Sequence, residues 1–300
     1  MTTVFLVIVI PFLNEQRYLS SMLESVAAQV RPPDHLVVVD DGSTDGSAHI
    51  AAEFARCRDY VTVLVRPPRP SQRDRLITAA EWQAFQWAVD QIGDGFDVVA
   101  KLDADLVLDA NVFNEVEAHF TADQRLGIVG PHLAEIDAAG RRMRLRGRPE
   151  HVHGAAKFYR RACYRQIMPI PAVHGWDMID EVKARSRGWG TARFGKPGGE
   201  TLHCRPMGAQ DGALRGFRRW GQGDYVSGTH ALVVLVTAWH RLRDRPRVVG
   251  SINYLFGWAA AALRRVPRIE PDLRAFARQE QLSRIHLRLT NWVDIGRRTG

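Results

Sequence analysis

Val98-Val-Ala-Lys-Leu-Asp-Ala-Asp-Leu106 is a short strand-like run that delivers two carboxylates at its end. Apolar β-branched runs of this kind belong to strands covered on both faces, which are characteristic of parallel sheets layered with helices. The pattern repeats on the N-terminal side. Val4–Ile10, Leu36–Val39 and Val61–Val65 are further strand-like runs, and Arg17–Gln29, Ser47–Ala55 and Ile77–Val89 between them place apolar residues at helical spacing. Strict alternation predicts an α/β fold with a mixed, mostly parallel sheet flanked by helices. In such sheets ligands bind beyond the carboxyl ends of the strands. Three polar segments fall at those ends: Asn14-Glu15, Asp40-Asp41 and Asp103/Asp105.

The composition allows a sizeable core, with 45% hydrophobic and 25% charged residues in 300. Cys57, Cys163 and Cys204 are odd in number and form no CxxC pair, which predicts reduced thiols in a reducing compartment. The apolar N-terminus has neither a preceding positive charge nor a following cleavage site and is expected to be a strand rather than a leader. No stretch reaches the ~18–20 apolar residues of a membrane span. Ala231–Trp239 is too short, and Val248–Leu263 carries Asn253 and several small residues. The expected location is cytoplasmic, peripheral on the inner face of the cytoplasmic membrane. The net charge of +8 concentrates in arginine clusters at 141–148, 215–219, 241–247 and 264–268. These read as solvated faces, as attraction to a diphosphate, or as attraction to an anionic membrane surface. No nucleic-acid motif accompanies them, so nucleic acid is not an expected partner. The oligomeric state is not set by the sequence.

Two aspartates two residues apart can converge on one hard cation and leave positions open for phosphate oxygens. Alone, Asp103-Ala-Asp105 reads equally as a strand-end turn with solvated carboxylates. Asp40-Asp-Gly-Ser-Thr-Asp-Gly-Ser47 supplies a turn and a helix cap, expected at Thr44 or Ser47. Its adjacent carboxylates would repel each other unless donors, such as those of a base or ribose, meet them. Asn14 and Glu15 can cap the following helix or contact a nucleoside. Beyond residue 130 the alternation loosens: Gly127–Pro131 ends a strand, Arg141–Glu150 is a polar loop or hairpin, and Trp176–Gly188 is a helix with acids first and Arg185 and Arg187 last.

Ile10-Pro-Phe-Leu-Asn-Glu15, Val39-Asp-Asp-Gly-Ser-Thr-Asp-Gly-Ser47 and Lys101-Leu-Asp-Ala-Asp105, in this order and spacing, resemble the family 2 glycosyltransferases over residues 3 to 205. The resemblance implies a GT-A fold, a nucleotide-diphospho-sugar donor, Mg²⁺ or Mn²⁺, and inversion at the anomeric carbon. It implies that Pro11, Phe12, Asn14 and Glu15 line the nucleoside pocket and that Asp41 contacts the base. Lys101 and Asp103 then lie by the ribose and diphosphate, and Asp105 is the metal ligand. An inverting transfer needs a general base, which the family carries at the start of a helix about 70 residues on. Counting back from Gly188 favours Asp177. The family's Glu-Asp doublet is replaced by Trp176-Asp177, so Asp180 and Glu181 stay in contention, and all three acids also suit a helix dipole. His203 matches a family histidine that reaches the diphosphate or metal, and Arg205 can clamp phosphate; either can equally be structural.

The expected organisation is a catalytic domain over 1–214, with a nucleotide-binding half 1–106 and an acceptor half 107–214. A helical extension follows over 215–300. Its Trp220 and Tyr225 can stack on a sugar, and its aromatic and aliphatic helices beside arginines suit either a membrane interface or core packing. The expected reaction moves a sugar to a glycan or lipid-linked acceptor in cell-surface polysaccharide or glycolipid synthesis. The rivals are a sugar-nucleotide pyrophosphorylase, whose Gly-rich basic loop is missing after the first strand, and a catalytically idle membrane-surface scaffold.

Overall fold

The structure, a computed structural model, describes residues 4–69, 74–136, 141–145, 147–148, 150–196, 198–205, 212–243 and 246–298, with backbone alone for 213 and 286–298. The chain divides into two compact units, Met1–Met207 and Gly208–Gly300.

The first unit opens with β1 (Leu6–Phe12), α1 (Leu19–Ala27), β2 (His35–Asp40), α2 (Ser47–Ala55), β3 (Val61–Val65), α3 (Ala80–Ile92) and β4 (Val98–Leu102) in strict alternation. It continues through β5 (Leu106–Val107), α4 (Val112–Ala122), β6 (Leu126–Pro131), β7 (Leu133–Ile136), β8 (Arg142–Arg144), β9 (Ala156–Arg160), α5 (Arg161–Ile167), α6 (Trp176–Ser186), β10 (Gly190–Phe194) and β11 (Thr201–His203). Seven strands form one sheet in the order β10-β6-β9-β4-β1-β2-β3. All neighbours are parallel except β9, which runs antiparallel to both β4 and β6. A smaller sheet, β5-β11-β7-β8, stands beside it.

The period of two along the strands builds two apolar layers. Leu6, Ile8, Ile10 and Phe12 of β1 share one core with Leu19, Met22, Leu23 and Val26 of α1 and with Phe113 and Val116 of α4. Phe158 of β9 joins that layer and meets Phe113 edge-on at 6.0 Å. The next residue, Tyr159, points the other way, to Trp82 and Phe85 of α3. Pro11 sits inside β1 because the pairing with β4 has already ended at Val9, so its missing N–H interrupts no ladder there.

Two local expectations are corrected. The helix expected from Ile77 begins at Ala80, because Ala79 takes a left-handed backbone (φ 45°, ψ 55°) and residues 75–79 form turns. The cap expected at Thr44 or Ser47 is Gly46, with no side chain capping α2. The Ser47 hydroxyl instead accepts from the Glu15 N–H at 2.8 Å.

The second unit is helical: α7 (Ala213–Val226), α8 (Ala231–Arg241), α9 (Arg247–Leu263) and α10 (Pro271–Arg298). Phe217, Val234, Ala238 and Tyr254 form its core. α7 and α9 approach so closely that a Cβ on Gly221 would stand 1.9 Å from the Tyr254 carbonyl oxygen, and one on Gly257 2.0 Å from that of Arg218. Gly221→Ala should therefore force the helices apart and cost about 1–3 kcal/mol. Urea unfolding followed by helical circular dichroism should show an earlier transition; an unchanged transition would mean that the crossing is not tight.

Candidate functional site

The loops after β1 and β2 are laced together by side chains. Asn14 adopts a left-handed backbone (φ 55°) and its amide oxygen accepts from Thr44 N–H at 2.8 Å, while Asn14 N–H reaches Ser43 Oγ at 3.1 Å. Gln16 N–H donates to Asp45 Oδ2 at 3.1 Å. These bonds hold the two loops together beyond the strand ends, and Pro11 and Phe12 are buried. Neither Asn14 nor Glu15 caps α1, whose first residue is preceded by Tyr18.

The adjacent aspartates have separate partners, which removes their repulsion. Asp40 Oδ1 accepts from Gly42 and Ser43 N–H at 3.1 and 2.7 Å and shapes the turn. The Asp41 side chain, 2% exposed, receives three guanidinium groups, from Arg66 at 3.1 Å, Arg69 and Arg75. These arginines went unrecognised in the sequence, where they lie in a Pro- and Arg-rich loop without a motif. One carboxylate leaves that cluster with two surplus positive charges.

The acidic triplet lies where β4 turns into β5. Asp103 is half-buried, its N–H held by the Ala155 carbonyl at 2.8 Å, and Lys101 Nζ bonds its Oδ1. Burial pushes the Asp103 carboxyl up, with Lys101 opposing. Asp105 is buried, and Arg205 joins it to Glu15: Nε donates to Asp105 Oδ2 at 2.8 Å and Nη2 to Glu15 Oε1 at 2.5 Å. Burial raises the Glu15 carboxyl and Arg205 only partly offsets this. Against the pull of burial, Asp105 and Glu15 hold Arg205 above its ordinary value.

β11 pairs antiparallel with β5, His203 opposite Leu106, which carries the imidazole to Asp105. His203 Nδ1 bonds the Arg205 carbonyl, which only accepts, so that nitrogen carries the proton. In the neutral ring the Nε2 lone pair then faces Asp105 Oδ1 at 3.7 Å. Two acceptors facing each other call for a cation between them, and a backbone-fixed imidazole is the usual preparation for one. Ligand atoms of Asp103, Asp105 and His203 lie within 4.8 Å of one another, a set that fits a divalent ion.

The acids of α6 separate. The helix starts after Gly175, which takes φ 87°, and Trp176 stacks on Trp82 at 4.2 Å between centroids. Asp177 is half-buried and lies against Gly154, where an added Cβ would come within 3.0 Å of Asp177 Oδ2. Lys101 Nζ also bonds the Gly154 carbonyl, at 3.0 Å, so the triplet and Asp177 share a neighbour. Asp180 is fully buried, bound by Lys157 Nζ at 2.7 and 2.9 Å and Tyr159 Oη at 2.6 Å. Burial pushes its carboxyl up to about 6, with Lys157 opposing. Glu181, also buried, accepts from Val152 N–H at 2.7 Å and His151 Nδ1 at 3.2 Å; despite burial, Lys157 and His151 hold its carboxyl well below the ordinary range. Lys157 was the missed residue. Its signal was a lysine within the strand-like Ala156-Lys-Phe-Tyr159, in register opposite Lys101.

Residues 7–176 match the model of glycosyl transferase family 2, more than half of the chain. The chain belongs to that family. Among curated relatives, an uncharacterised glycosyltransferase of Nostoc is 31% identical over 130 residues, 43% of this chain and 37% of the relative. The succinoglycan biosynthesis protein ExoA of Rhizobium meliloti is 32% identical over 105 residues, 35% of this chain and 29% of the relative. The alignments thus span about a third of those proteins. Among solved structures, a mannosyltransferase of Pyrobaculum calidifontis, in complex with GDP-mannose and Mn²⁺, is similar with TM-score 0.56 at 16% identity, over 91% of this chain and 83% of the other. TarS residues 1–349 of S. aureus, in complex with UDP-GlcNAc, give 0.51 at 13% identity over 88% and 93%. These likenesses establish the GT-A fold.

Lys157→Met should strip buried Asp180 of its counter-charge, leave Glu181 to His151 and Arg185, and cost about 3–5 kcal/mol at pH 7. Some of that loss should return by pH 5, because Asp180 then takes up a proton more readily in the folded than in the unfolded chain. Denaturant midpoints at the two pH values test this; equal losses would remove Asp180 from the account. His153 gives the opposite slope. Burial depresses it to about 3, so the unfolded chain binds the proton first and stability falls as the pH drops below about 6.5. The unfolding midpoint of the natural protein should fall more steeply between pH 7 and 5 than that of His153→Gln, and parallel slopes would contradict this.

Proposed function

We propose that this family member is an inverting, metal-dependent hexosyltransferase acting from a nucleotide-diphospho-sugar. The observation that carries the reading is the shared neighbourhood of Asp103, Asp105 and His203 on one side and Asp177 on the other, joined through Lys101 and Gly154. The donor's nucleoside rests on the laced loops of Pro11, Phe12, Asn14 and Glu15, with Asp41 and its arginines beside the base. Its diphosphate lies by Asp103, Lys101 and Arg205. Asp105 and His203, with Asp103 beside them, would hold the ion, and a nitrogen ligand beside two carboxylates suits Mn²⁺ at least as well as Mg²⁺. When bound, the ion supplies positive charge to the departing nucleoside diphosphate.

Asp177 is the general base. It takes the proton from the acceptor hydroxyl as that oxygen attacks the anomeric carbon and the bond to the diphosphate breaks. Asp180 and Glu181 serve instead to seat α6, because both carboxylates are sealed in the interior by Lys157, Tyr159 and Val152. Arg205 shields Asp105 and Glu15 from each other, and its guanidinium would be available to a phosphate oxygen of the bound donor. We take the acceptor to be a glycan or lipid-linked glycan of cell-surface polysaccharide or glycolipid, which the partial likeness to a succinoglycan biosynthesis protein supports. The catalytic part extends over 1–214, with the remainder as its helical extension, at the cytoplasmic side of the membrane.

The experiment is a screen of nucleotide sugars for Mn²⁺-dependent donor hydrolysis, beginning with GDP-mannose and UDP-GlcNAc. Asp105→Ala should lose the Mn²⁺-dependent rise in melting temperature with the matching nucleoside diphosphate. Asp177→Asn should keep that rise and lose transfer by about 10²–10⁴-fold. Absence of a thermal shift with every nucleoside diphosphate would favour an idle scaffold, and full transfer by Asp177→Asn would remove it as the base.

A further inference from the structure

The second unit carries an apolar surface that nothing among the described residues covers. On α8 the large side chains Leu232, Leu235, Val236 and Trp239 recur at helical spacing, and all are exposed, Trp239 to 67%. On α9 the stripe is Val248, Ile252, Phe256 and Leu263, the last 85% exposed. Neither stripe is a core face. The buried positions of α8 are Val234 and Ala238, and those of α9 include Gly250, Tyr254, Gly257 and Ala261. The buried sides pack on α7 or on each other: Val234, Ala238 and Tyr254 share a cluster with Phe217, and Ser251 Oγ donates to the Ala238 carbonyl at 2.7 Å. Both stripes therefore lie off the face packed on α7, although the Arg218 guanidinium of α7 lies over the Phe256 ring at 4.6 Å, and the two helices are joined by a short connection. Apolar patches of this extent mark interaction surfaces.

The charge around the patch identifies its occupant. Residues 213–268 contain ten arginines and two aspartates, a surplus of eight that equals the net charge of the whole chain. Arg243 and Arg247 lie at the turn between the stripes, and Arg264 and Arg265 close the far end of α9; all four are exposed. Among the described residues of that segment the one acid, Asp224, faces inward and accepts from Tyr254 Oη and Thr229 Oγ1. A second copy would bring two such arginine sets together and be repelled. An anionic bilayer meets both features, since acyl chains receive the apolar stripe while arginines reach the headgroup phosphates. Among the described residues no helix is long and apolar enough to cross a membrane. At ~1.5 Å per residue, α8 and α9 extend only about 16 and 26 Å, which suits lying in the interface.

We propose that the α8–α9 pair is a membrane-surface anchor, which inserts Leu235, Trp239, Ile252 and Phe256 into the headgroup boundary of an anionic monolayer. The proposal does not depend on the sugar-transfer reading, because vesicle binding needs neither donor nor metal. The test is flotation of the full chain with vesicles of phosphatidylcholine containing one quarter phosphatidylglycerol, against phosphatidylcholine alone. The natural protein should float at least tenfold more with the anionic vesicles, and Trp239→Ser and Leu235→Glu/Ile252→Glu should each reduce that fraction severalfold or more. Arg264→Glu/Arg265→Glu should weaken binding most at low salt. Donor hydrolysis in solution should be unchanged in all of them. The proposal is overturned if the natural protein stays with the pellet, if Leu235→Glu/Ile252→Glu floats undiminished, or if light scattering shows a dimer that this variant dissolves.

Discussion

The Lys157 ammonium is the interaction on which the first unit turns. It lies on β9, the antiparallel strand inserted between β4 and β6, and has no access to water. A lone buried charge of that kind would be prohibitive, and it is tolerated because Asp180, Glu181 and the Asp177 carbonyl surround it. All three belong to the first turns of α6. The helix is thus fixed to the sheet by electrostatics in a low-dielectric setting, and not merely by apolar packing. Lys157 and its register neighbour Lys101 both lie near the Trp176 ring, at 5.6 and 5.3 Å from its centroid. One aromatic side chain therefore separates the lysine that seats α6 from the lysine that contacts the acidic triplet.

This construction explains which parts of the molecule were legible in the sequence. Val98–Leu102 coincides with its observed element because burial on both faces leaves little choice, and Val61–Val65, a half-buried edge strand, and Ser47–Ala55 coincide through their β-branched and Ala-rich composition. Asp103, Asp105 and His203 were legible for a different reason: strand ends deliver them, and β11 aligns with β5. What escaped notice depends on tertiary partners. Nothing local in Arg66, Arg69 and Arg75 says that they converge on Asp41. Nothing local in Asp180 and Glu181 distinguishes them from Asp177, and only the position of Lys157 across the sheet does so. The short strands β7 and β11 were missed because three or four residues give no usable period, and β8 was read only as part of a polar loop or hairpin.

Arginine is used in three ways in this chain. Around Asp41 it over-compensates a single carboxylate, at Asp105 and Glu15 it bridges two, and along the described residues of α7 to α9 it far outnumbers the one acid, Asp224. The planar, permanently charged guanidinium suits all three, because it can fork between two carboxylates and lie over aromatic faces such as Tyr18, 5.3 Å from Arg205. At Lys101 and Lys157 lysine instead supplies an enclosed point charge.

The glycine crossing of α7 and α9 has a consequence for how the second unit can change over evolutionary time. The two helices touch backbone to backbone at Gly221 and Gly257, so their closest approach draws little on the outward side chains of α9. Substitutions on that outer surface can accumulate without loosening the helices, while the glycines themselves admit almost none. The frame of the unit is accordingly set by backbone contact, separately from the chemistry of its outer side chains.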